Sequence, residues 1–347
     1  MRLRTLTMLL ALVASVLVGC AAPSREGEPT ELRVLVHSSF DAKQDLIRAF
    51  EDEHHAKVTL LKAGDANKLV SRALLNIGNP EADVLYGVDN LTFPRVAGKG
   101  VFEDFTATRR AQIPADVRAQ FGDSRAVTPI DYGYVALNFD NKAGTPPATF
   151  EELTQAPWRN KLVVEDPATS SPGLQFLATT VSYFGETGAY TWRDYWRDLK
   201  QNGVLVTDGW SAAYNKEFSR NKGTRPVVVS YTTSPAAEVF YGEGKLTEPP
   251  TSNVIPKGAK LFRQVEAAGV LAGAKHPELG RQFIDFMLRD AFQQQIPETM
   301  FVYPVVSGIA LPEWWKWASV DVQASPLQVD AATVDRWVRE WTELMRR

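Results

Sequence analysis

From Leu32 onward the apolar positions alternate between strand-like and helix-like spacing. Leu32–His37 is a β-rich run, and Asp41–Glu53 then sets Leu46, Ile47 and Phe50 on one helical face. Val58–Leu61 and Asp83–Tyr86 read as short buried strands on either side of a helical pattern formed by Leu69, Ala73, Leu74 and Ile77. A second series starts after Asp131. Val135–Phe139, Leu162–Glu165, Val204–Val206 and Val227–Tyr231 read as strands, with helices near Leu174–Phe184 and Tyr190–Leu199. Thr149-Phe150-Glu151-Glu152 matches a capping box opening a further helix. The pattern predicts an α/β protein with two units, each a mostly parallel sheet flanked by helices, and a ligand at the carboxyl ends of the strands. Helical patterns at Glu278–Leu288, Ala291–Ile296 and Ala331–Arg347 are expected to pack back onto the first unit.

A chain of 347 residues also exceeds what one core normally organises, which agrees with two domains. The start is different in kind. Arg2 and Arg4 precede an apolar-to-small run from Met8 to Gly19, too short to span a bilayer but laid out as a secretory signal over residues 1–19. Leu17-Val18-Gly19-Cys20 resembles a bacterial lipobox, in which the Cys becomes the lipid-modified first residue. An ordinary signal with an incidental Cys is the alternative, but Cys20 is the only cysteine, and lipidation accounts for it. Residues 20–30, with Pro23, Ser24, Gly27 and Pro29, then read as a tether that holds the body to a membrane. Without residues 1–19 the chain carries 36 Lys and Arg against 41 Asp and Glu, a balance of −5 that argues against nucleic acid as a partner.

No HExxH, GxSxG or P-loop pattern occurs, and His54-His55 reads as a solvated pair, so no metal or cofactor site is expected. The chemistry concentrates in turns that follow predicted strands. These are Asp131-Tyr132-Gly133-Tyr134, Asp166 to Gly173, Asp208 to Tyr214, Ser230-Tyr231-Thr232-Thr233-Ser234-Pro235-Ala236 and Tyr303-Pro304, which would meet in a cleft between two lobes. Ser171 and Pro172 suit a helix start. With the hydroxyls of Thr169, Ser170 and Ser171 this is either an anion seat or a plain capped helix. Trp210, Tyr231, Tyr132 and Tyr134 would offer flat faces to a planar or cationic ligand, or else pack in a core. Trp210 follows Asp208-Gly209, a turn that favours an exposed ring.

Taken together, Asp131-Tyr132-Gly133-Tyr134, Asp166-Pro167 with Thr169-Ser170 and Pro172-Gly173, Gly209-Trp210-Ser211 with Ala213-Tyr214, Ser230 to Ala236 and Tyr303-Pro304-Val305 resemble the bacterial thiamine-binding periplasmic proteins. Ala82-Asp83-Val84, Gly87-Val88-Asp89-Asn90 and Gln264-Val265-Glu266 match as well, so the resemblance runs from about Leu32 to Arg347. It implies a two-lobed type II periplasmic-binding fold, with residues 31–129 and 267–347 in lobe 1 and residues 130–266 in lobe 2. The implied protein is not an enzyme. It is a monomeric solute-binding lipoprotein that closes over thiamine or a thiamine phosphate and delivers it to the permease subunits of an ABC importer. By the same resemblance Trp210, Tyr231, Tyr214 and Thr232 belong to the ligand site, Asp65 lies in the matching acidic loop, and Ser170 with its neighbours would seat a phosphate. Three family aromatics are replaced, by His37, Ala237 and Phe301; Phe301 can still stack, Ala237 cannot. The alternatives are another small cargo, such as a polyamine, a sugar phosphate or a chelated metal, and a thiaminase. The thiaminase needs a cysteine nucleophile in the cleft, which Cys20 cannot supply.

Overall fold

The first unit follows the alternating pattern closely. In a computed structural model that describes residues 27–318, 324–325 and 329–346, it comprises β1 (Thr30–Val36), α1 (Gln44–His54), β2 (Ala56–Lys62), α2 (Ala66–Leu75) and β3 (Val84–Asp89). The signal segment and Cys20 lie outside the described residues. Helix α1 buries Ile47 and Phe50 and stops at His55, whose left-handed φ of 47° turns the chain directly into β2. Next come β4 (Thr128–Asp140), β5 (Leu162–Glu165), α3 (Ser171–Phe184), α4 (Trp192–Gln201), β6 (Leu205–Thr207), β7 (Val227–Tyr231), α5 (Ser234–Tyr241) and β8 (Thr251–Val254). The chain closes with β9 (Leu261–Val270), α6 (Pro277–Met287), α7 (Asp290–Thr299), β10 (Tyr303–Pro304) and α8 (Ala331–Arg346).

The strands line up in the order β2-β1-β3-β9-β4-β7-β5-β6. Each outer triplet is parallel, as strand–helix alternation requires. The two central strands are not: β9 runs antiparallel to β3, and β4 runs antiparallel to both β9 and β7. The sheets are therefore mixed rather than mostly parallel, because β4 and β9 are long strands and not the ends of βαβ crossovers. Residues Thr128–Tyr134 of β4 pair with β9, and Val135–Phe139 of the same strand pair with β7.

Two hydrophobic cores flank this central pair. One gathers Val34, Leu85, Phe50, Phe283 and Phe292; the other gathers Val164, Leu177, Trp192, Tyr195 and Trp196. Each fully buried large apolar side chain contributes about 1.5–3 kcal/mol, which makes each core the main stabiliser of its half. Helices α6 and α7 join the first core, but α8 corrects the expectation for the tail. Its Val334, Trp337 and Trp341 enter the second core, where Trp341 meets Trp196 edge-to-face at 5.4 Å. An apolar stripe specifies a face; only the complementary aromatic surface of α4 specifies the partner. The capping box at Thr149 is also altered. The Glu152 amide donates to the Thr149 hydroxyl and the Glu152 carboxylate accepts from the Ala148 amide, yet the turn is a 3-10 segment, Glu151–Thr154, instead of a longer helix.

Candidate functional site

Between the two cores lies a cavity of about 560 Å³, within the range of small-molecule sites. Each wall is set by a strand end. His37 follows β1, Asp65 precedes α2, Ser171 opens α3, Trp210 follows β6, Tyr231 ends β7, Gln264 and Glu266 project from β9, and Phe301 sits between α7 and β10.

The aromatic wall is preorganised. The Trp210 ring stacks on Tyr214 at 5.1 Å and 14°, and its indole N–H donates to the Ser230 hydroxyl at 2.8 Å. The Trp210 backbone N–H donates to Asp65 Oδ2 at 3.2 Å, joining the two halves across the cavity. Gly209 leaves room for this approach, since a Cβ there would stand 2.8 Å from Asp65 Oδ2 and push the carboxylate away. Opposite, the Tyr231 hydroxyl donates to Gln264 Oε1 at 2.7 Å. Its ring lies over Gly133, where a Cβ would come within 2.9 Å of Tyr231 Cδ1. Phe301 holds a left-handed φ of 55°, a conformation that costs a non-glycine residue about 1–3 kcal/mol and recurs at ligand clamps. Its carbonyl accepts from the Thr233 hydroxyl, and its ring packs on Tyr241 at 5.0 Å and Phe240 at 5.8 Å.

The lining is acidic. Asp41, Asp65, Glu238 and Glu266 face one Arg, Arg220, among the described residues, and that guanidinium is paired with Glu238 at 3.1 Å. Burial raises the Asp65 carboxyl above the usual carboxylate range, against the Ser170 hydroxyl, the His37 imidazole and the Trp210 amide, which favour its ionised form. Burial likewise raises Glu238, with the Tyr214 hydroxyl and Arg220 opposing. Such a cavity, with aromatic faces and four carboxyl side chains, suits a planar cation.

Of the residues singled out from the sequence, His37, Asp65, Ser171, Trp210, Tyr214, Tyr231 and Phe301 line the cavity, whereas Thr169, Ser170, Thr232 and Tyr132 do not. The Thr169 hydroxyl donates to the Asp208 carbonyl at 2.7 Å and that of Ser171 to the Asp89 carboxylate, so these hydroxyls are engaged within the protein. Ser170 and Thr232 are fully buried, the Ser170 hydroxyl beside the Asp65 carboxyl and the Thr232 hydroxyl without a hydrogen-bond partner among the described residues. Tyr132 faces away because alternate residues of a strand point to opposite sides, and Asp131 and Gly133 take the inner side. Its ring stacks on Tyr303 at 5.2 Å and lies under the Arg263 guanidinium at 5.1 Å. Sequence reasoning missed Arg220, Glu238, Tyr241 and the inward pair Gln264 and Glu266. The i, i+2 spacing of that last pair on a largely apolar strand is the signal that was available.

The sequence profile of the bacterial extracellular solute-binding proteins matches residues 45–323. The chain belongs to this family. The solute-binding chain is 31% identical over 305 residues to the thiamine-binding periplasmic protein of Escherichia coli (strain K12), covering 86% of this chain and 88% of that one. It is 33% identical over 290 residues to the thiamine-binding periplasmic protein of Brucella suis biovar 1 (strain 1330), covering 82% and 81%. A solved periplasmic thiamin binding protein superposes with a TM-score of 0.77 at 28% identity, covering 92% of this chain and 97% of that chain. The two-lobed periplasmic-binding fold is thereby established for this solute-binding protein.

Proposed function

We propose that this solute-binding protein captures thiamine or its phosphate esters outside the cell membrane and hands them to the permease of an ABC importer. The observation that carries this reading is the cavity of about 560 Å³ in which the rings of Trp210, Tyr214, Tyr231, Tyr241 and Phe301 stand among four carboxyl side chains. Thiamine joins an aminopyrimidine to a positively charged thiazolium, the kind of flat cation that aromatic faces and carboxylates hold together. The names of the relatives point to the same cargo. Strands β4 and β9 act as the hinge between lobe 1, residues 31–129 and 267–318, and lobe 2, residues 130–266 completed by the α8 helix of the tail. Closure brings the Trp210 amide to Asp65 and the Asn67 amide to the Pro167 carbonyl, a contact of 2.8 Å. The protein works as a monomer, exported by residues 1–19 and held by acylated Cys20 with residues 20–30 as tether.

Equilibrium dialysis against labelled thiamine tests the cargo. Displacement by thiamine phosphates but not by spermidine or fructose 6-phosphate is expected; displacement by either of the latter assigns a different cargo. Cleavage of thiamine during the incubation would make the protein an enzyme and end the binding-protein reading. Metabolic labelling with palmitate tests the anchor, with loss of label expected in Cys20→Ser and an unlabelled native protein refuting it.

A further inference from the structure

Beneath the aromatic wall lies a buried polar cluster that stacking does not use. The His37 imidazole reaches Glu266 Oε2 through Nε2 at 3.4 Å and the Ser39 hydroxyl through Nδ1 at 3.1 Å. The Tyr86 hydroxyl lies 3.1 Å from the same Glu266 oxygen and also donates to Asp131 Oδ2. His37 and Glu266 line the cavity; Tyr86 and Asp131 close the cluster from behind. All four are at least nine-tenths buried, with His37 at 5% exposure, Glu266 at 8%, Tyr86 at 1% and Asp131 at 0%. The other groups that face His37 are the Asp65 carboxyl ahead of α2, Lys62 at the end of β2, the Tyr86 ring at 5.5 Å and the Phe40 ring at 6.3 Å.

We propose that capture of a cationic cargo expels one proton from the His37–Glu266–Asp131–Tyr86 cluster, the positive charge of the cargo replacing the proton on His37. This rests on the cationic-cargo reading above. Two buried carboxyl groups on paired residues of adjacent strands disfavour double ionisation, so one of Asp131 and Glu266 keeps a proton. Burial and the neighbouring Glu266 push Asp131 well above the usual carboxylate range. Burial opposes ionisation of Glu266, but His37, together with hydrogen bonds from Tyr86 and Asp131, outweighs it and holds Glu266 lower. Burial disfavours the imidazolium, yet Glu266 and then Asp65 raise His37 above its ordinary value, with Lys62 opposing. Below the raised His37 pKa, neutral Asp131, anionic Glu266 and cationic His37 leave the cluster with no net charge. A thiazolium entering beside His37 meets a like charge. Loss of the His37 proton to solvent leaves neutral imidazole, and Glu266 then balances the cargo, so the charge of the cluster plus ligand is again zero.

Calorimetric titration of the protein with thiamine in buffers of low and high ionisation enthalpy, at about pH 6.5, counts the protons exchanged. Release of about one proton per thiamine is expected, with affinity rising roughly tenfold per pH unit below the His37 pKa and level above it. A neutral analogue carrying thiophene in place of thiazolium should release none, and His37→Gln should bind thiamine without release. Thiamine binding with no proton exchange, or release that persists with the neutral analogue, overturns the proposal and leaves the cargo assignment standing. Absence of thiamine binding overturns the cargo assignment itself. The two ligands compared on the native protein keep the test valid if His37→Gln does not fold.

Discussion

Replacing Trp210 with Ala removes a half-buried ring that touches the cavity on one face and Tyr214 on the other, at 5.1 Å and 14°. A desolvated cation–π contact is worth about 0.5–2 kcal/mol, and a stacked aromatic pair about 0.5–1.5 kcal/mol beyond its burial. Loss of the first, with partial loss of the preorganisation supplied by the second, lowers cargo affinity by roughly 1–3 kcal/mol, or about 5- to 150-fold. Stability should change less, because the Ser230 hydroxyl left by the indole N–H retains Ser234 as a partner at 2.9 Å. Trp210→Phe keeps the flat face and loses only that N–H, so its penalty should be about 1 kcal/mol. Calorimetric Kd values for the three proteins, each with a thermal melt, read both quantities. A Trp210→Ala protein that melts like the native one and binds within twofold of it would refute the stacking role.

Arg220→Ala should weaken thiamine pyrophosphate about tenfold more than thiamine, because the unpaired Glu238 adds negative charge to a wall that has lost its Arg; equal Kd shifts for the two ligands would contradict this. Trp341→Ala should cost about 3–5 kcal/mol by urea unfolding, since it opens a hole against Trp196 in the second core; a loss below about 1 kcal/mol would place α8 elsewhere. Glu186 is held down at about 2, first by the Arg336 guanidinium and then by the Trp337 indole N–H at 3.1 Å. Its contribution is therefore complete above its ordinary pKa and is lost as pH falls toward 2. Glu186→Gln should lower Tm at neutral pH by roughly 2–4 °C and narrow the gap to the native protein in acid, as melts across pH will show, and a gap that widens in acid has the wrong sign.

The parallel triplets and both α/β units were legible because strands and helices carry different apolar periods, and β1, β3, β5 and β7 kept theirs. Strand β9 was hidden because Arg263, Gln264 and Glu266 interrupt its apolar run, and those polar residues are where it serves the cavity. The glycine-flanked Trp210 and the strand-end Tyr231 were visible as site residues because turn chemistry exposes them. Tyr132 was misplaced by one strand period, and Thr169 because a hydroxyl near a helix start does not reveal what it bonds. The partner of α8 was illegible for a similar reason: an amphipathic stripe fits either core until the two surfaces are compared.

Calorimetric titration of the purified protein with thiamine, thiamine monophosphate and thiamine pyrophosphate tests the central claim most directly. Submicromolar, one-to-one binding of at least one of the three, with thiamine or its monophosphate ahead of the pyrophosphate, is the expected result. No heat and no change in Tm with all three would show that the acidic aromatic cleft serves another cargo.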